Sequence, residues 1–273
     1  NINLRLSYSS GFRAPQAFDE DMHIENVGGT VAMIERAKDL KEEKSQSFSV
    51  SADMYHRFGA FQTNLLIEGF YTRLTDVFVL GKPYDRGDGI LVKTRSNGPG
   101  AKVMGLTLEG KVAYLSILQI QAGLTLQRSR YDEPHKWHDD VPAKRTIFRT
   151  PNVYGYFTAT YIPIKPLSIA LSGTYTGSMF VQRMDITAKN AAMGDMPERK
   201  AEAVKTPKFL DLGVKLAYDF KLYKTVDLQL SGGVQNILEA YQKDFDRGAN
   251  RDSGYIYGPA LPRSFFAGVK ISY

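Results

Sequence analysis

Two of the four histidines and the single tryptophan fall within ten residues of one another, in Tyr131-Asp132-Glu133-Pro134-His135-Lys136-Trp137-His138-Asp139-Asp140. Neutral imidazole ligates metals and aromatic rings stack on flat molecules. Tyr131, His135, Trp137 and His138 could therefore contact a metal chelate, a haem or a flat organic ligand. The separation of His135 from His138 is not a zinc pattern on a loop, and aromatic surface decoration is the plainer reading. Asp139 and Asp140 beside His138 could in principle activate water, yet adjacent acids next to one histidine are more often solvated surface.

Three other stretches carry reactive types. Asp19, Glu20, Asp21, Met22, His23 and Glu25 offer carboxylates and an imidazole to a hard cation or a cationic ligand; the alternative is a solvated acidic loop. Met179, Met184, Met193 and Met196 supply soft sulfur at irregular spacing, suited to copper or to an adaptable apolar patch. Tyr241, Phe245, Asp246, Arg247, Arg251, Tyr255 and Tyr257 mix rings and guanidinium groups, which fit an anionic ligand or a lipopolysaccharide phosphate. Arg13, between a glycine-led segment and Pro15, reads first as a pin for a loop base and second as a ligand contact.

Enzymatic signatures are absent from the sequence: there is no Gly-x-Ser-x-Gly elbow, His-Glu-x-x-His pair or phosphate loop. An enzyme is not expected, and no cofactor is implied. Without cysteine there is no disulfide framework, thiolate metal site or cysteine nucleophile. The net charge of +6 is scattered with no basic helix or cluster, so nucleic acid is not an expected partner.

The elements that must position these residues alternate with period two. Leu118, Ile120, Ala122, Leu124 and Leu126 oppose Gln119, Gln121, Gly123, Thr125 and Gln127, and similar segments recur from Ile2 to a terminal stretch bearing Phe265, Val269, Ile271 and Tyr273. Ten strands are expected, most alternating for about nine to thirteen residues, which exceeds soluble strands and suits a tilted membrane crossing. The stretches 61–80 and 150–162 are noisier, with Phe70, Tyr154 and Tyr156 on the polar side. No apolar run is long enough for a membrane helix, so a spanning structure must be built from strands.

Connections predicted at 9–45, 59–60, 81–90, 114–116, 130–148, 163–165, 184–206, 221–225 and 240–260 alternate between longer and shorter. That is the pattern of an outer-membrane barrel with long outer loops and short periplasmic turns. Tyr55, Phe58, Phe61, Tyr114, Tyr161, Tyr218, Phe220, Tyr223 and Tyr273 are expected at the periplasmic interface, where aromatic rings form a girdle.

Several segments carry a family resemblance. They are Ser7-Tyr8-Ser9-Ser10-Gly11-Phe12-Arg13-Ala14-Pro15, Lys38 to Ser47, Gly105-Leu106-Thr107-Leu108-Glu109-Gly110, Arg149-Thr150-Pro151, Val234-Gln235-Asn236-Ile237-Leu238 and Gly258-Pro259-Ala260-Leu261-Pro262-Arg263. In this order they resemble the barrel of TonB-dependent outer-membrane receptors. The resemblance implies an all-β, antiparallel transmembrane barrel of about 22 strands, of which residues 1–273 would be the carboxyl-terminal ten. The plug domain, the TonB box and the earlier strands would then lie outside this chain.

The resemblance further implies a Gram-negative outer membrane and active import of a ferric siderophore, haem, cobalamin or similar scarce solute. Energy would come from the TonB complex through the plug. Membrane lipid, lipopolysaccharide and a surface lipoprotein are the other expected partners. A passive porin or structural barrel is the alternative, and whether a metal binds is left open.

Overall fold

The computed structural model describes residues 1–16, 33–81, 84–87, 91–186, 199–223, 226–248, 251–252 and 254–273. Its strands are β1 (Ile2–Arg13), β2 (Met33–Arg36), β3 (Glu43–Phe58), β4 (Phe61–Thr75), β5 (Phe78–Leu80), β6 (Tyr84–Asp85), β7 (Leu91–Asn97), β8 (Ala101–Tyr114) and β9 (Leu118–His135). They continue as β10 (Lys144–Thr146), β11 (Val153–Ile164), β12 (Leu167–Thr176), β13 (Phe180–Ile186), β14 (Arg199–Lys205), β15 (Phe209–Tyr223), β16 (Val226–Gln235) and β17 (Ser264–Ser272). No helix occurs among the described residues.

Ten strands form one continuous sheet in the order β1-β3-β4-β8-β9-β11-β12-β15-β16-β17, with β10 attached to β9. Every pairing in it is antiparallel, and β1 and β17 are its free edges, so the sheet is open. The ten strands expected from alternation are these ten.

Facing is inverted relative to a soluble sheet. Leu124 is 40% exposed and its neighbour Thr125 only 8%. Leu4, Val50, Leu106, Leu230 and Val269 are likewise exposed, whereas Asp53 and Ser129 on the other side are buried. Water would penalise that arrangement by about 25 cal/mol for each Å² of apolar area left open. Hydrocarbon on the apolar side removes the penalty.

The aromatic residues on the polar side have a packing role. Phe70 is paired with Gly105, and Tyr156 with Gly123. A Cβ on either glycine would lie 2.5 Å from the Phe70 ring or 2.6 Å from the Tyr156 ring. Each ring therefore covers the backbone that a glycine leaves bare.

On the outward side Phe58, Phe61, Tyr114, Leu118 and Tyr161 form one cross-strand row at the short-turn end. Phe58 stacks on Phe61 with centroids 5.5 Å apart, and Phe61 meets Tyr114 at 4.7 Å. Tyr55 departs from the expectation. Its register puts it on the polar side, where its hydroxyl donates to Asp53 at 2.9 Å.

Three connections are longer than predicted, the last of them running over 236–263 rather than 240–260. β4 ends at Thr75, because Asp76 adopts φ +55° and breaks the ladder. The following connection reaches residue 100, and β5, β6 and β7 within it join β2 in a separate small sheet. Residues 78–80 and 91–97 therefore leave the main sheet. The connection after β12 begins at Gly177 and contains the hairpin of β13 and β14.

Candidate functional site

The long connections lie at one end of the sheet, and three of them are knitted together there. Arg149, at φ +59° just before β11, donates Nη1 to the Ile256 carbonyl at 2.8 Å and Nη2 to the Gly254 carbonyl. Its own N–H donates to the Phe180 carbonyl at 2.8 Å. One residue thus ties the loop after β9 to the β13–β14 hairpin and to the last connection.

The last connection begins with Asn236, which is buried and left-handed at φ +48°. Its amide donates to the carbonyls of Leu261 (2.8 Å) and Ala240 (3.2 Å), and its oxygen accepts from the Ala240 N–H at 2.8 Å. Asparagine tolerates this backbone conformation and satisfies the turn internally.

Further along, the Tyr255 and Tyr257 hydroxyls both donate to Asp244, the former at 2.8 Å. Gln242 bridges the Tyr255 carbonyl and the Tyr257 N–H at 3.1 and 3.0 Å. Burial alone would raise the Asp244 pKa, but hydrogen bonds from the two phenols, the backbone and Gln242 together outweigh it and hold the carboxyl below its ordinary value. Burial, and next the Asp244 carboxylate, push both tyrosines upward. Tyr255 and Tyr257 also pack with Val181 and Phe209 in a small core beneath the loops.

Tyr131 and His135 lie on the outer extension of β9, their rings 5.4 Å apart. Trp137 follows, with His138 at 5.9 Å and Phe148 edge-on at 6.3 Å. Phe148 meets Phe180 at 6.4 Å, and the Lys144 ammonium caps the Phe180 ring at 3.9 Å. His138 Nδ1 is 3.3 Å from Asp140, which also accepts from the Ala201 N–H at 3.2 Å. The rings thus form two half-buried groups, Tyr131 with His135 on β9 and Trp137 with His138, Phe148 and Phe180 across two connections, each competent for stacking and hydrogen bonding.

Other candidates are placed differently. Tyr255 is 1% exposed and serves the loop core, so solvent does not reach it in this conformation. Arg247 is exposed over the Phe245 ring at 4.9 Å, and Tyr241 is half-buried in the same connection. Arg13 lies over the Phe78 ring at 5.5 Å, opposite Glu43 across β1 and β3, which suits a loop base. Met179 packs against the loop core. Asp19, Glu20, Asp21, Met22, His23, Glu25, Met193 and Met196 lie outside the described residues, as does the side chain of Met184. No metal-competent group of three carboxylates or imidazoles occurs among the described residues.

The polar side of the sheet below is closely bonded. Gln121 donates to Glu109 (3.0 Å) and to the Tyr156 hydroxyl (2.7 Å), and Glu109 pairs with Lys111 at 3.1 Å. Asn64 and Tyr55 both donate to Asp53. Sequence reasoning missed the clasp residues Arg149, Asp244 and Gln242. Arg149 had a visible signal in its place before Thr150-Pro151, but its partners are about a hundred residues away.

Residues 1–237 match the family model for the TonB dependent receptor-like β-barrel. No curated protein matches the chain. Among solved structures, the FrpB iron transporter from Neisseria meningitidis aligns at TM-score 0.59 and 16% identity, over 99% of this chain and 37% of that one. A mutant of the ferric enterobactin receptor PfeA from Pseudomonas aeruginosa aligns at 0.61 and 17%, over 99% and 38%. The siderophore receptor PirA from Acinetobacter baumannii gives 0.61 and 14%, over 99% and 39%.

These likenesses are of fold, and the chain spans well under half the length of each of the three structures. With its polar inner wall, apolar outer wall and long loops gathered at one end, the chain belongs to the TonB-dependent receptors, as part of their β-barrel in the Gram-negative outer membrane.

Proposed function

We propose that these ten strands are the carboxyl-terminal part of a barrel of about 22, in a receptor that imports a scarce solute with energy drawn from TonB through a plug domain. The family match over residues 1–237 carries this reading. The bonded polar wall supports it, since Gln121, Glu109, Lys111 and Asp53 offer a plug or a hydrated solute the partners that an apolar lumen would lack.

A ferric siderophore is the leading substrate, because similar folds include an iron transporter, a ferric enterobactin receptor and a siderophore receptor. Haem and cobalamin are the next classes. The rings of Tyr131, His135, Trp137 and His138 are the proposed contact surface, tilted to one another so that faces and edges alike are offered to a chelate. Arg247 and Tyr241, in the last connection, add a cation and a phenol to the proposed contact residues, and Tyr255 holds that connection through the loop core.

Growth of a strain that depends on the parent receptor, on single sources of ferric siderophore, haem or cobalamin, tests both halves. Growth on one source should require the receptor and TonB together, and Trp137→Ala with His135→Ala should raise the concentration needed about tenfold or more. Uptake that persists without TonB would instead identify a passive pore.

A further inference from the structure

The chain contains a single Asn-Gly pair, Asn97-Gly98, at the end of β7 in the small sheet. The Asn97 carboxamide is the knot that ties this sheet to the loop base. Its Nδ2 donates to the carbonyls of Lys41 (3.0 Å) and Asp76 (2.8 Å), and its Oδ1 accepts from the Lys41 N–H at 2.8 Å. Asp76 is the left-handed residue that ends the β4 ladder, and Lys41 stands two residues before β3. One side chain thus fastens β7 to the ends of two wall strands.

Both members of the pair are imposed by their surroundings. Asn97 must donate as well as accept, and a carboxylate, which only accepts, cannot replace it. Gly98 has no room for a Cβ, which would lie 2.5 Å from Cγ1 of Val79 and 3.0 Å from its Cγ2. A β-branched side chain in a strand has little freedom to swing aside. The consequence is chemical: with no side chain on the glycine, its nitrogen reaches the asparagine carboxamide carbon more readily than in a bulkier pair.

In the docked sheet that approach is blocked twice. The Gly98 N–H is engaged by the Val77 carbonyl at 2.7 Å, and three hydrogen bonds hold the carboxamide towards Lys41 and Asp76. Both restraints are released when the small sheet lifts from the loop base.

We propose that Asn97 is a deamidation site gated by the conformation of the outer loops, shielded while the small sheet is docked, reactive when it lifts, and unable to retie once it has reacted. The Gly98 nitrogen forms a bond to Asn97 Cγ and loses its proton as the Cγ–Nδ2 bond breaks and ammonia leaves. Water then opens the succinimide ring at either carbonyl and gives aspartate or isoaspartate. One water is consumed and one ammonia released, with no change of oxidation state. The product carboxylate has no N–H for the Lys41 and Asp76 carbonyls and repels both, so a transient opening becomes a permanent one. The inference concerns the small sheet alone and is independent of which solute is imported.

The full receptor containing this segment would be incubated in detergent micelles at mildly alkaline pH beside a synthetic peptide of residues 93–100. Peptide mapping would follow the mass gain at Asn97, and hydrogen exchange the protection of the Gly98 amide. Deamidation should be slower in the receptor than in the peptide by at least the factor by which that amide is protected, because both need the sheet to open. Glu35→Ala removes the carboxylate shared by Tyr84 and Thr94 across β2, β6 and β7, and should speed deamidation and lower the protection in the same proportion.

Asn97→Asp carries the product side chain from the start. It should lower the protection of the Ala37 and Gly98 amides, which donate to the Arg95 and Val77 carbonyls, and leave protection across the wall strands unchanged, which separates an untied sheet from a lost fold. Deamidation as fast in the receptor as in the peptide, an Asn97 that stays intact while the Gly98 amide exchanges freely, or Ala37 and Gly98 amides as well protected in the Asn97→Asp variant as in the parent would overturn the proposal.

Discussion

Asp244 holds two phenols at the base of the outer loops, and its protonation state sets how firmly the last connection is clasped. The folded carboxyl has a lowered pKa, so its contribution is complete above the unfolded value of about 4 and is lost as pH falls through the folded one. Tyr255 and Tyr257 have raised values, so theirs is complete below about 10 and is lost as pH rises through the folded values. Amide protection across residues 236–248, taken relative to the intrinsic exchange rate at each pH, should therefore be highest between these limits and lower on either side. Asp244→Asn should abolish the acid limb, and a limb that survives would assign it to another group. Gly123 provides a second test at this scale. With Tyr156 where a Cβ would go, Gly123→Val should destabilise the barrel by about 1–3 kcal/mol in denaturant titration, and pairing it with Tyr156→Ala should recover part of the loss.

At the level of the strand, β9 displays the whole design. Its even-numbered residues are apolar as far as Leu126 and basic at Arg128 and Arg130, while its odd-numbered residues carry Gln121, Thr125 and Ser129 inward. Leu124→Arg should cost about 2–4 kcal/mol in a bilayer near its midplane, and Gln121→Arg, beside Glu109, should be mild. Refolding titrations into lipid vesicles compare the two, and equal costs would contradict the facing. Eighteen residues at about 3.3 Å each also carry β9 well past a hydrocarbon core of about 30 Å, even when tilted. This overhang lifts Tyr131 and His135 above the membrane.

For the whole molecule, the open edges at β1 and β17 are decisive. Each presents an unpaired row of backbone groups, and β1 also exposes Ile2, Leu4 and Leu6. Unpaired backbone in hydrocarbon costs several kcal/mol per group, so these strands require neighbours within the membrane. Residues 1–273 expressed alone should aggregate or demand detergent, whereas the parent barrel should withstand it. Sedimentation with and without detergent would check this, and a monodisperse, detergent-free species would count against a membrane wall.

Period two in Leu118–Gln127 and its counterparts determined ten strands, their facing and the alternation of loops, because which side a strand residue faces is a local property of the pleat. Phe70 and Tyr156 looked like noise in that pattern, since the glycines they cover belong to other strands. The small sheet of β2, β5, β6 and β7 and the Arg149 and Asp244 clasps were likewise hidden. Their partners are irregular segments brought together only by the curvature and register of the finished sheet. Alternation therefore fixed the wall, and only the tertiary structure decided how its loops meet.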